Sequence, residues 1–173
     1  KFPISKASLK RTFIRDVTGQ TFLRLQLATR RGNSIEGGEA FESSGERNLF
    51  IPLNMLFFLA FVVIGHWWVY FALWLAPLMT WFMCVIRIRN IAEHAMTEKG
   101  DNPLTHARTV TASLLARIFL APYWVNYHVE HHAYMFVPCY RLKALHKEMM
   151  RAGHGPQMEM QKDYGVILKL AST

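Results

Sequence analysis

Residues 49–86 contain no Asp, Glu, Lys or Arg. A run of 38 uncharged residues is far longer than a buried helix of a water-soluble domain requires. A bilayer core is crossed by ~20 apolar residues in a helix, so this run has length for two crossings. Its middle, Gly65-His66-Trp67-Trp68, is the one turn-like break, and Trp and Tyr concentrate where helices meet lipid headgroups. The pattern predicts a helical hairpin, 50–65 out and 69–86 back, with a kink at Pro77 of a kind that membrane helices tolerate. Arg47 precedes the first arm, Arg87 and Arg89 follow the second, and the turn carries no basic residue. By the positive-inside rule both outer ends face the cytoplasm. The expected fold is therefore all-α and integral to the membrane. It has one transmembrane helical hairpin at 49–86, interfacial and cytoplasmic helices around it, and a cytoplasmic histidine-bearing region at 87–173.

The flanks carry the charge. Residues 1–48 hold nine basic and five acidic side chains, and residues 87–173 hold eleven and seven. No nucleic-acid module accompanies this basic excess. Its place beside apolar spans points to anionic lipid headgroups as the partner and away from nucleic acid. Residues 1–35 show Leu9, Phe13, Ile14 and Val17 at helical spacing, then Phe22, Leu23, Leu25 and Leu27, which predicts one or two helices along a membrane surface. Residues 32–48, with four Gly, three Ser and four Glu, read as a flexible loop. Residues 87–100 continue the second arm, 101–112 form a loop, and 113–121 make an apolar helix too short to span. Residues 141–152 form a basic amphipathic helix with Leu142, Leu145 and Met149 on one side. The first residue is Lys1, and the chain is expected to begin inside a longer one. Two cysteines, Cys84 and Cys139, exclude a disulfide-rich scaffold and an all-cysteine zinc site.

Three of the eight histidines fall in five residues, His128-Val129-Glu130-His131-His132. Residues three and four apart share a helix face, so His128 sits beside both His131 and His132, and clustered imidazoles bind transition metals. The spacing is not the His-Glu-x-x-His of zinc proteases. His94 and Asn90, four apart, share a face just beyond the second predicted arm.

With its neighbours this pattern resembles a family. Asn126-Tyr127-His128-Val129-Glu130-His131-His132, followed by Val137-Pro138-Cys139-Tyr140-Arg141-Leu142, is similar to the last histidine box of the membrane fatty acid desaturases. So is the segment from Asn90 to His94 after an apolar hairpin. Arg15-Asp16-Val17-Thr18-Gly19 is a weaker similarity, and Tyr164 to Ala171 resembles the end of bacterial members. The family shows three boxes, HxxxH, HxxHH and HxxHH, and only the last is found here. The resemblance thus covers the C-terminal half of a desaturase, read as part of a single domain over 1–173. It implies a non-haem di-iron centre, with two irons per complete enzyme, that uses dioxygen to introduce a double bond into a lipid acyl chain. It implies His94, His128, His131 and His132 as metal ligands on the cytoplasmic side. It also implies a separate electron donor of ferredoxin or cytochrome b5 type, for which no cluster-binding cysteine spacing exists in this chain. Four histidines do not fill two irons, so the chain alone is expected to be inactive. A membrane hydroxylase or ketolase, a non-enzymatic membrane protein that keeps the fold, and a small zinc module are the alternatives.

Other residues have two readings each. Glu93 and Glu130 either accept from the far ring nitrogens of ligand imidazoles or are solvated acids. Asn90 either holds a metal-bound water or makes a plain helix-face hydrogen bond. Asn126 either reaches the site or, the better expectation, caps a helix start. His106 either approaches the site or, the better expectation, is a plain loop histidine, while His66 reads as interfacial and His146 and His154 as solvated. Met149, Met150, Met158 and Met160 read as packing at the membrane surface.

Overall fold

The computed structural model describes residues 2–30 and 44–172. It is mostly helical, and its contacts divide it into two units. One holds residues Thr12–Cys84, the other Lys1–Arg11 together with Val85–Thr173.

Two N-terminal helices form where the apolar spacing places them, α1 (Lys6–Val17) and α2 (Gln20–Arg30). They are separated at Gly19, whose φ of +76° suits a residue without Cβ. Asp16 is fully buried and accepts from the Thr21 hydroxyl at 2.5 Å, which ties the end of α1 to the start of α2. The predicted loop at 32–48 lies largely outside the described residues, and its last part, from Ser44, is already helical. α3 runs Ser44–Val63. Gly65, with φ +81°, makes the break, and His66 Nδ1 donates back to the Ile64 carbonyl at 3.0 Å.

The helix that follows, α4 (Trp67–His94), is long and apolar enough to cross a membrane, and among the described residues it is the one that is. The apolar part of α3, Ile51–Val63, is shorter, so one candidate span stands where two are expected from the uncharged run. α4 widens to a π-helical stretch at Tyr70–Leu75. Pro77 has no N–H to donate four residues back and its ring crowds that carbonyl, so the turn ahead of it opens. Within this unit α3 lies against the start of α4 through aromatic edges, with Phe57 to Tyr70 at 5.8 Å, Phe57 to Trp74 at 5.5 Å and Phe58 to Tyr70 at 5.3 Å between ring centroids.

The second unit starts with the end of α4, which stops at His94 rather than near residue 100. Its short elements are β1 (Thr109–Val110), α5 (Leu114–Phe119), α6 (His128–Ala133), α7 (Leu142–Arg151), β2 (Met160–Gln161) and α8 (Tyr164–Leu170). Ser113 caps α5 by accepting from the Ala116 amide, and Asp163 caps α8 through the Val166 amide, as short polar side chains do at helix starts. β1 pairs in parallel with β2, Thr109 opposite Met160 and Val110 opposite Gln161. The all-α expectation misses this two-residue ladder, which is too short to leave any periodic signal. α7 follows its predicted stripe, with Leu142 and Met149 buried. Met149 and Met158 form a buried cluster with Val129 of the box helix, and Leu104 and Leu145 pack on it. These two methionines are therefore core side chains rather than the membrane-surface packing predicted from composition.

Candidate metal centre

His94 ends α4, and Arg108 holds that end in place. The Arg108 side chain is 4% exposed. Its Nη1 donates to the carbonyls of Ala92 and Ala95, each at 3.0 Å, and its Nε to Glu159 at 3.0 Å. The last carbonyls of a helix have no partner within it, and a buried guanidinium satisfies them while meeting the negative end of the helix dipole. The Arg108 amide also donates to the Glu93 carbonyl at 2.9 Å. Met96, with φ +63°, turns the chain out of the helix.

The box helix α6 is anchored by Glu130, which is fully buried. Thr109 Oγ1 donates to Glu130 Oε2 at 2.5 Å and accepts from the Val129 amide at 3.1 Å. His146 Nδ1 hydrogen-bonds the other carboxylate oxygen, Oε1. Glu130 is thus directed to Thr109 and His146, and His146 is engaged by a buried acid rather than solvated. The Tyr127 phenol, half-buried beside this carboxylate, is pushed up, first by burial and then by the Glu130 charge.

These two anchors bring His94 and the box together across 34 residues of sequence. His128 Nε2 lies 2.9 Å from His94 Nε2 and 3.1 Å from His132 Nε2. One ligand atom from each of the three lies within 4.8 Å of the others. Metal–imidazole bonds of about 2.0–2.1 Å put the nitrogens on one ion about 3–4 Å apart, so this group fits a transition ion with only small adjustment. The His128 imidazole is held down to about 2, by burial first and then by its histidine neighbours. His132 is held down to about 4, by burial and then by His106, His94 and His131. Both rings are therefore neutral at pH 7, as ligands must be.

The other predicted residues fall around this group. His131 is exposed, its ring centroid 5.9 Å from those of His128 and His132. With His128 it lines a pocket of about 200 Å³ whose other walls are Arg89, Val125, Val137, Cys139 and Leu142. Glu93 accepts from Arg89 Nε at 2.9 Å, and its Oε2 is 3.8 Å from His128 Nε2. Asn90 is exposed one turn before His94. Asn126 is not a helix cap. It is buried, its Nδ2 donates to the Val110 carbonyl at 2.9 Å, and among the described residues its Oδ1 has no hydrogen-bond partner. The buried Tyr164 hydroxyl likewise has none, and burial raises its pKa.

His106, Arg108 and Thr109 lie in a stretch without periodicity that reads as a loop from sequence, although Thr109 belongs to β1, and only the fold shows what each touches. His106, read as a plain loop histidine, in fact reaches the cluster, its Nε2 3.1 Å from His132 Nδ1.

No curated protein and no solved structure matches this chain. The family model for fatty acid desaturase matches residues 2–163, which takes in both ends of the histidine group, all of one unit and most of the other. By that match, over nearly its whole length, the chain belongs to the fatty acid desaturase family.

Proposed function

We propose that this chain supplies one half of the metal centre of an oxygen-dependent desaturase acting on lipid acyl chains, with His94, His128, His131 and His132 as iron ligands. The observation that carries this reading is the meeting of three imidazole nitrogens from α4 and α6 in a chain of the desaturase family. Family membership implies desaturase-type oxidoreductase chemistry. Bound iron supplies the dioxygen chemistry by which two hydrogens leave adjacent acyl carbons. One O2 and two electrons from a separate ferredoxin- or cytochrome b5-type donor, with two protons, balance the reaction to an alkene and two waters.

The chain's own residues prepare the site. Burial keeps His128 and His132 neutral, which leaves lone pairs free for a metal at pH 7. The Glu130 clamp and the Arg108 cap fix the two helix segments whose imidazoles must meet. The pocket beside His128 and His131 has an apolar wall of Val125, Val137 and Leu142, suited to a methylene segment of the acyl chain. α4 is long and apolar enough to cross a bilayer and ends at His94 itself. A lipid substrate then reaches the site from the membrane, whose α3–α4 hairpin has both outer ends on the cytoplasmic side.

Two irons need more imidazoles than this group provides, so the decisive assay uses a chain that also carries the HxxxH and first HxxHH boxes. There, His128→Ala is expected to lower bound iron and to cut oxygen-dependent desaturation by more than ~100-fold, since even partners one shell out cost about 10- to 100-fold. Full iron content and product from that variant would remove the assignment. The 173-residue chain alone is expected to make no product, and turnover from it would overturn the shared-centre reading.

A further inference from the structure

His106 is half-buried on the loop before β1, and its two ring nitrogens have different partners. Nδ1 is 2.7 Å from the Asn102 carbonyl. A carbonyl only accepts, so Nδ1 carries the proton, and the neutral ring keeps its lone pair at Nε2. That Nε2 lies 3.1 Å from His132 Nδ1. Facing an acceptor, His132 Nδ1 holds its proton, and its own lone pair is left at Nε2. His132 Nε2 is the atom 3.1 Å from His128 Nε2, inside the three-imidazole group. Thr97 steadies the relay, since its hydroxyl lies 3.0 Å from both the His94 and the His106 carbonyls and so links the His106 loop to the end of α4.

We propose that His106 is a positioning residue for the metal centre: by accepting a hydrogen bond from the Nδ1–H of His132 it fixes the tautomer that turns the His132 Nε2 lone pair into the histidine group. The proposal rests on the metal reading above. It departs from the usual arrangement, in which the far nitrogen of a ligand histidine donates to a carboxylate or carbonyl. Here another imidazole accepts, and a backbone carbonyl fixes that imidazole in turn.

The test takes the full chain in detergent micelles, labelled with ¹⁵N-histidine, alongside His106→Leu and His106→Gln, with circular dichroism to show that each folds. In the metal-free protein the nitrogen shifts are expected to show His132 protonated at Nδ1. That preference is lost in His106→Leu and kept in His106→Gln, whose amide oxygen can accept the same hydrogen bond. Titration with Co²⁺ alone, read by its visible absorption, is expected to show affinity about 10- to 100-fold weaker for His106→Leu and restored to within a few-fold by His106→Gln. An Nε2-protonated His132 in the wild type, or cobalt affinity unchanged in His106→Leu, overturns the proposal. Equal loss in both variants overturns it too, because that outcome makes His106 a ligand. If the tautomers behave as stated but the wild type shows no cobalt binding that depends on His94, the metal reading fails and the positioning role falls with it, while the hydrogen-bonded relay stands.

Discussion

The two units of this chain differ in how many polar side chains they bury, although both expose large apolar residues (Phe136 of the second is 98% exposed) and the first buries Asp16. In Thr12–Cys84 the large apolar residues face outward, Leu56 at 66% exposed, Leu73 at 73% and Val63 at 86%. In the unit built on Val85–Thr173 the interior holds Glu93, Arg108, Thr109, Asn126 and Glu130, all buried. A water-soluble body with the first arrangement would show a contiguous apolar surface far beyond what monomers tolerate. One with the second must satisfy every buried polar group or lose stability. The contrast suits two environments. The first unit shows the apolar exterior that a lipid solvent would require, and it holds most of α4, the helix long and apolar enough to cross a membrane. The second uses a polar interior to hold imidazoles at fixed angles, which apolar packing alone does less specifically.

The comparison breaks most easily at Arg108. Arg108→Ala removes a buried cation and leaves the Ala92 and Ala95 carbonyls without their donor. Truncating one member of a buried charged network costs about 3 kcal/mol or more, although Glu159, on the other side, is partly exposed and relaxes into water. The expected outcome is a large fall in the unfolding midpoint, with loss of metal binding at His94. A change below ~1 kcal/mol would show that the polar interior is decoration rather than frame.

A matched pair of charges sharpens the other side. Leu73→Arg places a cation in the apolar part of α4 and is expected to disfavour membrane integration by about 2–3 kcal/mol, as charges near a span's centre do. Leu170→Arg, at a residue of the second unit that is also exposed (53%), is expected to stay within about 0.5 kcal/mol of wild type, as surface substitutions do in water. Integration is read as the fraction of chains that resist alkaline extraction from microsomes, and stability as an unfolding midpoint. Equal effects at the two positions would mean that the units share one solvent, and the membrane reading of α4 would fall.

What the sequence shows and what it hides divide along the same line. The stripe of Leu142, Leu145 and Met149 shows a helix face because a 3.6-residue period is local. The His128-His131-His132 spacing is equally local, and with it the box. Pro77 marks the irregular turn of α4. The meeting of His94 with His128 is carried by the resemblance, since no local rule joins residues so far apart. Hidden altogether are the partners that the fold supplies: Arg108 at the end of α4, His146 on Glu130, His106 on His132. Each is a loop or surface-type residue by composition, and each becomes informative only when a segment distant in sequence arrives beside it. The exposed apolar side of the first unit was legible for the opposite reason, because an uncharged run of 38 residues carries its pattern in every position.

The smallest expected effect tests whether that apolar unit relies on polar contacts at all. Asn54 of α3 accepts from the Tyr70 hydroxyl at 3.2 Å and from the Trp74 indole N–H at 3.1 Å, joining the two helical segments where Phe57 also packs. Asn54→Leu keeps the size and the aromatic contacts but takes the acceptor from both donors. Hydrogen bonds between membrane helices contribute ~0.6 kcal/mol on average and seldom above ~1.7, because the separated helices find other partners. The expected loss is therefore about 1 kcal/mol, measured as the shift in an unfolding midpoint in mixed micelles, with metal binding at the histidines of the other unit unchanged. A loss above ~3 kcal/mol would show that the first unit, like the second, is held by a polar interior, and the distinction between them would reduce to where their apolar residues point.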